Sequence, residues 1–561
     1  MVLSQDPGVP NPNPSISYWQ IPPLQGIADH QSEQLPLQAD VVIIGSGLTG
    51  TSVAWHLLKE HSSSRPLRIA MVEARQACSG ATGRNGGQIR PTPYMDHFEY
   101  QEDFSEQEAV KMTNFQVAHV EALLSAADSL PEEGRLAAEA RAVDSIDAFF
   151  DEEQWKRVVR MHEDLNKERP ELAREFTVLE EEEARKVQPR DAKILRKNYE
   201  IRAANWGQIS FLPETVGVVA GSQKMSGAIW AYRFVTHALK SLLEENANFT
   251  LDTNTTAHDV SSVADPSVPF NHRVSTSRGD ILTNNIVHAT NAYVPHLVPG
   301  LRGVIGGELL HMTAQLGGSG LPEAGRWPSY TGNDSLPGGR AWTFFRGGQG
   351  YELDYASQLP RNGELMFGGG PGFEWNDDVD NPVNANYFSD GGPMIHSTVS
   401  YLNGALPNYF GAENWGAERT DFPEPVGGDV WPGRIKRVWA GVESCSSDDR
   451  PYVGRLPETV TTRPAKNAAL GGEWVASGYD GEGMCFAWLS GRALSQMIAV
   501  GSAGGNGADA VPEWFPRSLL ITEQRLAEQG TSSGSEGKSA SLFVDQSIAS
   551  FWLLVMVIFF S

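Results

Sequence analysis

The chain has 561 residues, 40% of them hydrophobic, which is enough for substantial cores and for more than one domain. Its 44 basic and 69 acidic residues leave a formal charge of −25, so there is no electrostatic footprint for nucleic acid or for an anionic membrane surface. Three cysteines, Cys78, Cys445 and Cys485, lie far apart without C-x-x-C spacing, which argues against a zinc site or a disulfide framework and fits a reducing, cytoplasmic setting.

Residues 1–39 read as a Pro-rich arm, extended and laid on the body by Tyr18 and Trp19. The arm holds no apolar run for a signal-peptide core and is short of arginine for a transit peptide. At residues 40–50 an apolar run passes straight into G-x-G-x-x-G, and residues 51–58 continue as an amphipathic helix. Gly45 lets the chain turn off the strand, Gly47 lets backbone, with Ser46, approach a pyrophosphate, and Gly50 lets helix and strand pack closely. The phosphates would sit on the free N–H groups at the positive end of the helix. A second strand, residues 67–72, ends at Glu73, about 23 residues past the third glycine, where a carboxylate can accept from both ribose hydroxyls.

Next comes Cys78-Ser-Gly-Ala-Thr-Gly-Arg-Asn-Gly-Gly-Gln88, a small-residue loop able to lie flat against a large planar ligand. Here the chain resembles the D-amino-acid oxidase/DadA-like superfamily of FAD-dependent amine and amino-acid oxidoreductases. Within it, the sequence is similar to the branch of γ-glutamylputrescine oxidase and its fungal paralogues. The segments Ser17-Tyr18-Trp19, Ala231-Tyr-Arg-Phe-Val235, His288-Ala-Thr-Asn-Ala-Tyr293, Asp448-Asp-Arg-Pro-Tyr-Val-Gly454 and Gly478-Tyr-Asp-Gly-Glu-Gly-Met484 follow in the family's order.

The resemblance implies an α/β fold in which a GR2-type, Rossmann-like FAD-binding domain is interleaved with a mixed-sheet α+β substrate domain. The FAD domain would take residues 40–100, 206–300 and 436–505. Residues 101–205 would form a helical cap on the substrate side and residues 301–435 the substrate domain. Within the cap, Ser105-Glu-Gln-Glu108 is a capping box that opens a long helix through about Ser125. The charged residues 152–186 read as helical, as do residues 228–245, which are followed by strands over 248–260 and 272–288. Trp342 to Phe345, Glu364 to Phe367 and Arg437 to Val442 read as strands, and the Gly-rich turn before Met484 opens a helix to about Val500. That helix would point its positive end at the flavin and stabilise the electron-rich reduced ring.

The implied cofactor is FAD, held non-covalently by Gly45, Ser46, Gly47, Gly50, Glu73, Arg75, Thr82, Gly83, Asn85, Gly86, Gly87, Val260 and Gly481. The implied reaction moves a hydride equivalent from the carbon beside a nitrogen to the flavin, and water hydrolyses the resulting imine. The substrate would be a small amine or amino-acid-like molecule, and the electrons would pass on to dioxygen or another acceptor. Arg90, Tyr351, Tyr355 and Cys485 are candidates for contact with substrate, Arg84 flanks the same loop, and His288 and His311 read as structural. Relatives of the sarcosine-oxidase kind carry one lysine that assists reaction with dioxygen and another that grips a substrate carboxylate. Met366 and Cys485 stand at those places, which disfavours a simple α-amino acid and leaves open a flavin dehydrogenase, a desaturase or a non-catalytic flavin-binding paralogue. Cys445 lies near, but about four residues beyond, the place where some relatives attach the flavin.

Residues 506–547 read as a linker and 548–561 as a hydrophobic tail. The apolar residues 548–560, as a helix rising about 1.5 Å per residue, reach roughly 20 Å against a hydrocarbon core of about 30 Å. Tail anchoring to a membrane, imitation of a GPI signal and an unstructured end all remain open for it.

Overall fold

The computed structural model describes residues 5–60, 66–180, 215–321, 339–347, 353–370, 390–391, 394–419, 433–465, 467, 471–502, 507 and 510–531. Tyr351 and the hydrophobic tail, 548–561, lie outside the described residues. Among the described residues no helix is long and apolar enough to cross a membrane.

Two large sheets carry the fold. The first has six strands in the order Tyr452–Arg455, Glu473–Ser477, Asn285–His288, Val41–Ile44, Ile69–Val72 and Phe249–Asp252. All neighbours are parallel except the Tyr452–Arg455 edge. The apolar runs read in the sequence follow from burial on both faces. Val41 and Ile43 point into a core with the helices Leu48–Lys59, Ala231–Glu245 and Gly483–Ser502, whereas Val42 and Ile44 point to the other side. There they meet Val260, Val274 and Ile281 of a three-stranded antiparallel sheet, Ala257–Ser262, His272–Thr276 and Gly279–Thr283.

The second sheet has eight strands, ordered Ile435–Ser446, Ile305–Gln315, Leu365–Gly368, Leu353–Gln358, Arg340–Phe345, Asp144–Phe149, Gly217–Gly221 and Phe176–Glu180. Only the Arg340–Phe345 and Asp144–Phe149 pair is parallel. One face packs on the helix His396–Trp415 through Leu402, Leu406 and Phe410, and the other on the helix Glu152–Glu168 through Trp155, Val158 and Leu165.

Three expectations need correction. Among its described residues the charged stretch is helical over Glu152–Glu168 and Pro170–Ala173, and Phe176–Glu180 instead pairs with Gly217–Gly221 as a strand; residues 181–186 lie outside the described residues. Residues 101–205 are not a purely helical cap, since they supply Asp144–Phe149 and Phe176–Glu180 to the substrate sheet. The helix in that segment, Glu106–Asp128, packs instead on the helical layer of the parallel sheet, where Met112, Phe115 and Leu123 share a core with Phe486 and Leu489. Finally, residues 510–531 are not a free linker: Phe515 and Leu519 are fully buried, and Arg525 makes a two-pronged pair with Asp448 at 2.8 Å.

Candidate active site

Between the two sheets lies a cavity of 1610 Å³, and its floor is the first Gly-rich turn. Gly45 has φ +109°, and a Cβ there would sit 2.4 Å from the Ala289 carbonyl oxygen. Gly47 caps the Leu48–Lys59 helix, and Thr82 Oγ1 accepts from the Leu48 N–H at 2.9 Å, so the loop after the second strand closes over the helix start. At Gly50 a Cβ would meet the Gly45 carbonyl oxygen at 2.1 Å, which is the close helix-to-strand approach that the motif predicts. Glu73 takes the Ser46 N–H at 3.1 Å and the Ser46 hydroxyl at 2.7 Å on one oxygen, and the Arg75 N–H at 3.1 Å on the other.

The loop from Cys78 to Gln88 is pressed into place from several sides. Added Cβ atoms would lie 2.3 Å from the Cys78 carbonyl oxygen at Gly83, 2.7 Å from the Tyr355 ring at Gly86 and 2.7 Å from the Ile229 carbonyl oxygen at Gly87. The Asn85 side chain accepts from the Gly87 N–H at 2.9 Å and lies 3.3 Å from Met484 Sδ. Arg75 and Arg84 meet over buried Asp390, at 2.9 Å and 3.3 Å. Burial pushes the Arg84 guanidinium down to about 10 against the pull of Asp390. At the far side, Gly481 (φ +80°) turns the chain into the Gly483–Ser502 helix, whose first residues line the cavity.

The residues in this wall fit FAD. The cavity exceeds the roughly 300–1,000 Å³ of ordinary small-ligand pockets. Gly45 and Gly47 put no side chain at the start of the Leu48–Lys59 helix, where a pyrophosphate would be favoured by the helix dipole, and Glu73 lies in the same wall. Arg84 Nη2 and Thr290 Oγ1, both from cavity-lining residues, are buried without a partner, as is Arg75 Nε, so polar groups are already in place for a polar ligand.

Among the expected residues, Gly45, Ser46, Gly47, Glu73, Arg75, Thr82, Asn85, Gly86 and Gly481 line the cavity together with Arg90, Tyr355 and Cys485. Gly50, Gly83 and Gly87 stand behind it as packing positions, and Val260 lies in the core between the parallel sheet and its antiparallel cover, where Thr256 and Ala257 form the wall instead. Arg90 is paired with Asp147 and bonded to Thr343, and Tyr94 donates to the same carboxylate at 2.6 Å. Tyr355 lies against the loop, and burial raises its hydroxyl, with Glu443 and Asp354 adding to the rise. The Cys485 thiol is likewise pushed up by burial. His288 is buried at 2.8 Å from Glu473, away from the cavity wall, whereas His311 lines the wall, accepts from the Ile395 N–H at 3.1 Å and is pushed down to about 4 by burial.

Sequence reading missed the carboxylates on the substrate side. Glu443 and Glu308 oppose each other on paired strands, and burial, then Glu308 and Asp480, raise Glu443 to about 8. Asp480, although bonded to Ser446, rises to about 8, first by burial. Burial, then Glu99, raises Glu482 to about 7 even though Gln116 donates to it at 3.0 Å. Glu308 and Glu443 sit on different strands of a Gly-rich, irregular sequence, so only the register brings them together.

The match to the FAD dependent oxidoreductase family model runs over residues 40–497. Among solved structures, an L-amino acid deaminase from Proteus vulgaris aligns over 88% of this chain and 96% of its own, with TM-score 0.54 and 13% identity. A glycine oxidase from Geobacillus kaustophilus aligns over 87% and 99%, with TM-score 0.51 and 17% identity. An iminodiacetate oxidase from Chelativorans sp. BNC1 aligns over 84% and 97%, with TM-score 0.50 and 14% identity. No curated protein matches the chain in sequence. The family match runs from the Gly-rich turn into the Gly483–Ser502 helix and takes in every cavity-lining residue except Gly8, Val9 and Pro10 of the arm: the chain belongs to the FAD-dependent oxidoreductases.

Proposed function

We propose that the chain oxidises the C–N bond of an amine rather than of a simple α-amino acid, with FAD bound non-covalently. One observation carries this reading: among the described residues no lysine lines the cavity, while several carboxylates do. The lining arginines are each ion-paired, Arg90 with Asp147, Arg450 with Asp448, and Arg75 and Arg84 with Asp390, so their charge is already matched even though Arg84 Nη2 and Arg75 Nε keep hydrogen-bonding capacity. A bidentate carboxylate clamp needs a free cation, whereas an ammonium group is matched by carboxylates. Met366 is fully buried within its sheet and Cys485 brings no charge, so neither stands in for a lysine. Cys485 is the single cysteine of the three in the wall; Cys445 is set back from it, which favours non-covalent attachment.

FAD held by these residues would supply the two-electron acceptor for a hydride equivalent from the carbon beside the nitrogen. The chain's part is to hold the nitrogen, cover the ring with Tyr355 and the Cys78 to Gln88 loop, and exclude bulk water. Anaerobic addition of amines and amino acids to the purified yellow protein tests this reading. Bleaching by a primary or secondary amine, and by no simple α-amino acid, is expected; selective bleaching by α-amino acids overturns it. The lack of a wall lysine also favours a dehydrogenase or desaturase over an oxidase, and slow recolouring of the reduced protein in air is the expected sign. A yellow protein that nothing bleaches would instead favour a non-catalytic paralogue.

A further inference from the structure

The carboxylate of Glu443 is placed differently from most of its neighbours in the wall. Glu73 is held by Ser46, Asp390 by Arg75, Asp480 by Ser446, Glu482 by Gln116 and Asp96 by Thr92. Glu443 accepts no hydrogen bond from any described residue. It projects from Ile435–Ser446 into the cavity, and one of its oxygens lies 3.3 Å from where a Cβ on Gly481 would be. That glycine therefore keeps the final cofactor turn open directly beside a free carboxylate. Directly opposed residues of an antiparallel pair share a face, so Glu308 stands alongside, with Cys445 within the same 4.8 Å cluster.

We propose that Glu443, with Glu308 beside it, receives the substrate's ammonium group and removes its proton. The inference rests on the amine reading above and names the residue that makes it work. A protonated amine holds its nitrogen pair in an N–H bond, so it has no pair with which to form C=N when the neighbouring C–H pair departs. In the step assigned to Glu443, one N–H bond breaks and one O–H bond forms on its carboxylate. Ammonium and carboxylate become neutral amine and neutral acid, and no oxidant or co-reactant is consumed.

Glu443 suits the task because its surroundings raise its basicity to the physiological range. Burial acts first, then Glu308 across the strand pair and Asp480 on the turn, with Tyr355 and Cys445 the other titratable groups facing it. The basic form grows as pH rises through about 8, so the rate of flavin reduction should climb with pH through that region.

The test uses the holoenzyme in wild-type, Glu443→Gln and Glu443→Asp forms, with FAD content and visible spectrum confirming that each is assembled. Infrared difference spectra between low and high pH need no turnover. The wild type should lose a protonated-carboxyl band that Glu443→Gln lacks, and the absence of such a difference overturns the proposal. Anaerobic reduction by whichever of butylamine, benzylamine and putrescine bleaches the wild type should fall about 100-fold or more in Glu443→Gln, within the 10²–10⁴ range of general acid–base catalysis. The rising pH limb should vanish in that variant and persist in Glu443→Asp. An unchanged limb in Glu443→Gln sinks this proposal while leaving the amine reading intact, whereas a wild type that only α-amino acids reduce sinks both. A stoichiometric metal ion in the purified holoenzyme, lost in Glu443→Gln, would reassign the cluster with Glu308 and Cys445 as a metal site and also overturn the proposal.

Discussion

A glycine at the cofactor turn is required only where backbone or space forbids a side chain, and Gly45 meets both conditions. Its φ of +109° lies in the region L side chains rarely adopt, and Ala289 backbone stands 2.4 Å from any Cβ. Gly45→Ala should therefore yield protein purified largely without flavin, read as a low ratio of 450 nm to 280 nm absorbance. Gly404→Ala, where nothing lies within 4 Å, should retain it. Burial raises the carboxyl at both Glu473 and Glu443, yet the two end on opposite sides of the ordinary value. At Glu473 it raises the carboxyl, but bonds from Arg463 (2.7 and 2.8 Å) and His288 (2.8 Å) outweigh it and hold the group at about 2. A folded-state value below the unfolded one of about 4.3 makes the contribution full above that value. It is lost as pH falls toward about 2. Glu473→Gln should lower stability by about 3 kcal/mol near neutrality, the cost of breaking a buried pair. The wild-type advantage in a denaturant series should shrink on acidification through that window.

The N-terminal arm shows how much an element can do with little regular structure. Gly8, Val9 and Pro10 line the cavity, and the Asn11 carbonyl accepts from Arg75 at 3.2 Å. Ser15 donates to the Asp390 carbonyl at 2.8 Å, and Trp19 is buried edge-on against Trp230 with centroids 5.2 Å apart. The arm thus lies over the loop and the two arginines that face the cofactor cavity. Removing residues 1–14, which leaves the Trp19 anchor in place, should speed FAD release by about tenfold, or about 1.4 kcal/mol, measured by recovery of flavin fluorescence on dilution. The tryptophan anchor was legible in the sequence because an aromatic pair in a Pro-rich arm has little else to do than pack. The helix Glu106–Asp128 was legible through its cap, where Ser105 accepts from the Glu108 N–H. Its destination was not, since an amphipathic pattern specifies a buried face without naming the surface that covers it. Phe176–Glu180 escaped notice because five residues after a charged helix carry too short an alternation to outweigh their neighbours.

At the scale of the whole molecule, the cavity exists because chain segments far apart in sequence cross between the two sheets. The centre of the parallel sheet was legible, as burial on both faces leaves the apolar runs Val41–Ile44 and Ile69–Val72, but Glu473–Ser477, which opens on a charge, was not read as a strand. The eight-stranded sheet was only partly legible, because its order is set by pairings such as Arg340–Phe345 with Asp144–Phe149, nearly 200 residues apart, which no local pattern encodes. The C-terminal segment 510–531 illustrates the same limit: its composition reads as a linker, yet it ties the helix Glu106–Asp128 to the edge of the parallel sheet. Phe515 meets Phe115 edge-on at 5.4 Å, Ser518 N–H donates to Glu108 at 2.7 Å, and Ile521 N–H donates to the Val453 carbonyl at 2.9 Å. Arg525 then pairs with Asp448, which opens the Asp448 to Gly454 motif next to the sheet's edge strand. Fully burying a large apolar side chain is worth about 1.5–3 kcal/mol, so Phe515 and Leu519 alone anchor the segment, and stripping it would expose the helix Glu106–Asp128 that backs the Gly483–Ser502 helix. A chain ending at Val511 should therefore melt well below one ending at Thr531 and bind less FAD, because the helix whose first turn lines the cavity would lose its backing. Equal melting temperatures and equal flavin content for the two chains would show that the segment rests on the domain without supporting it.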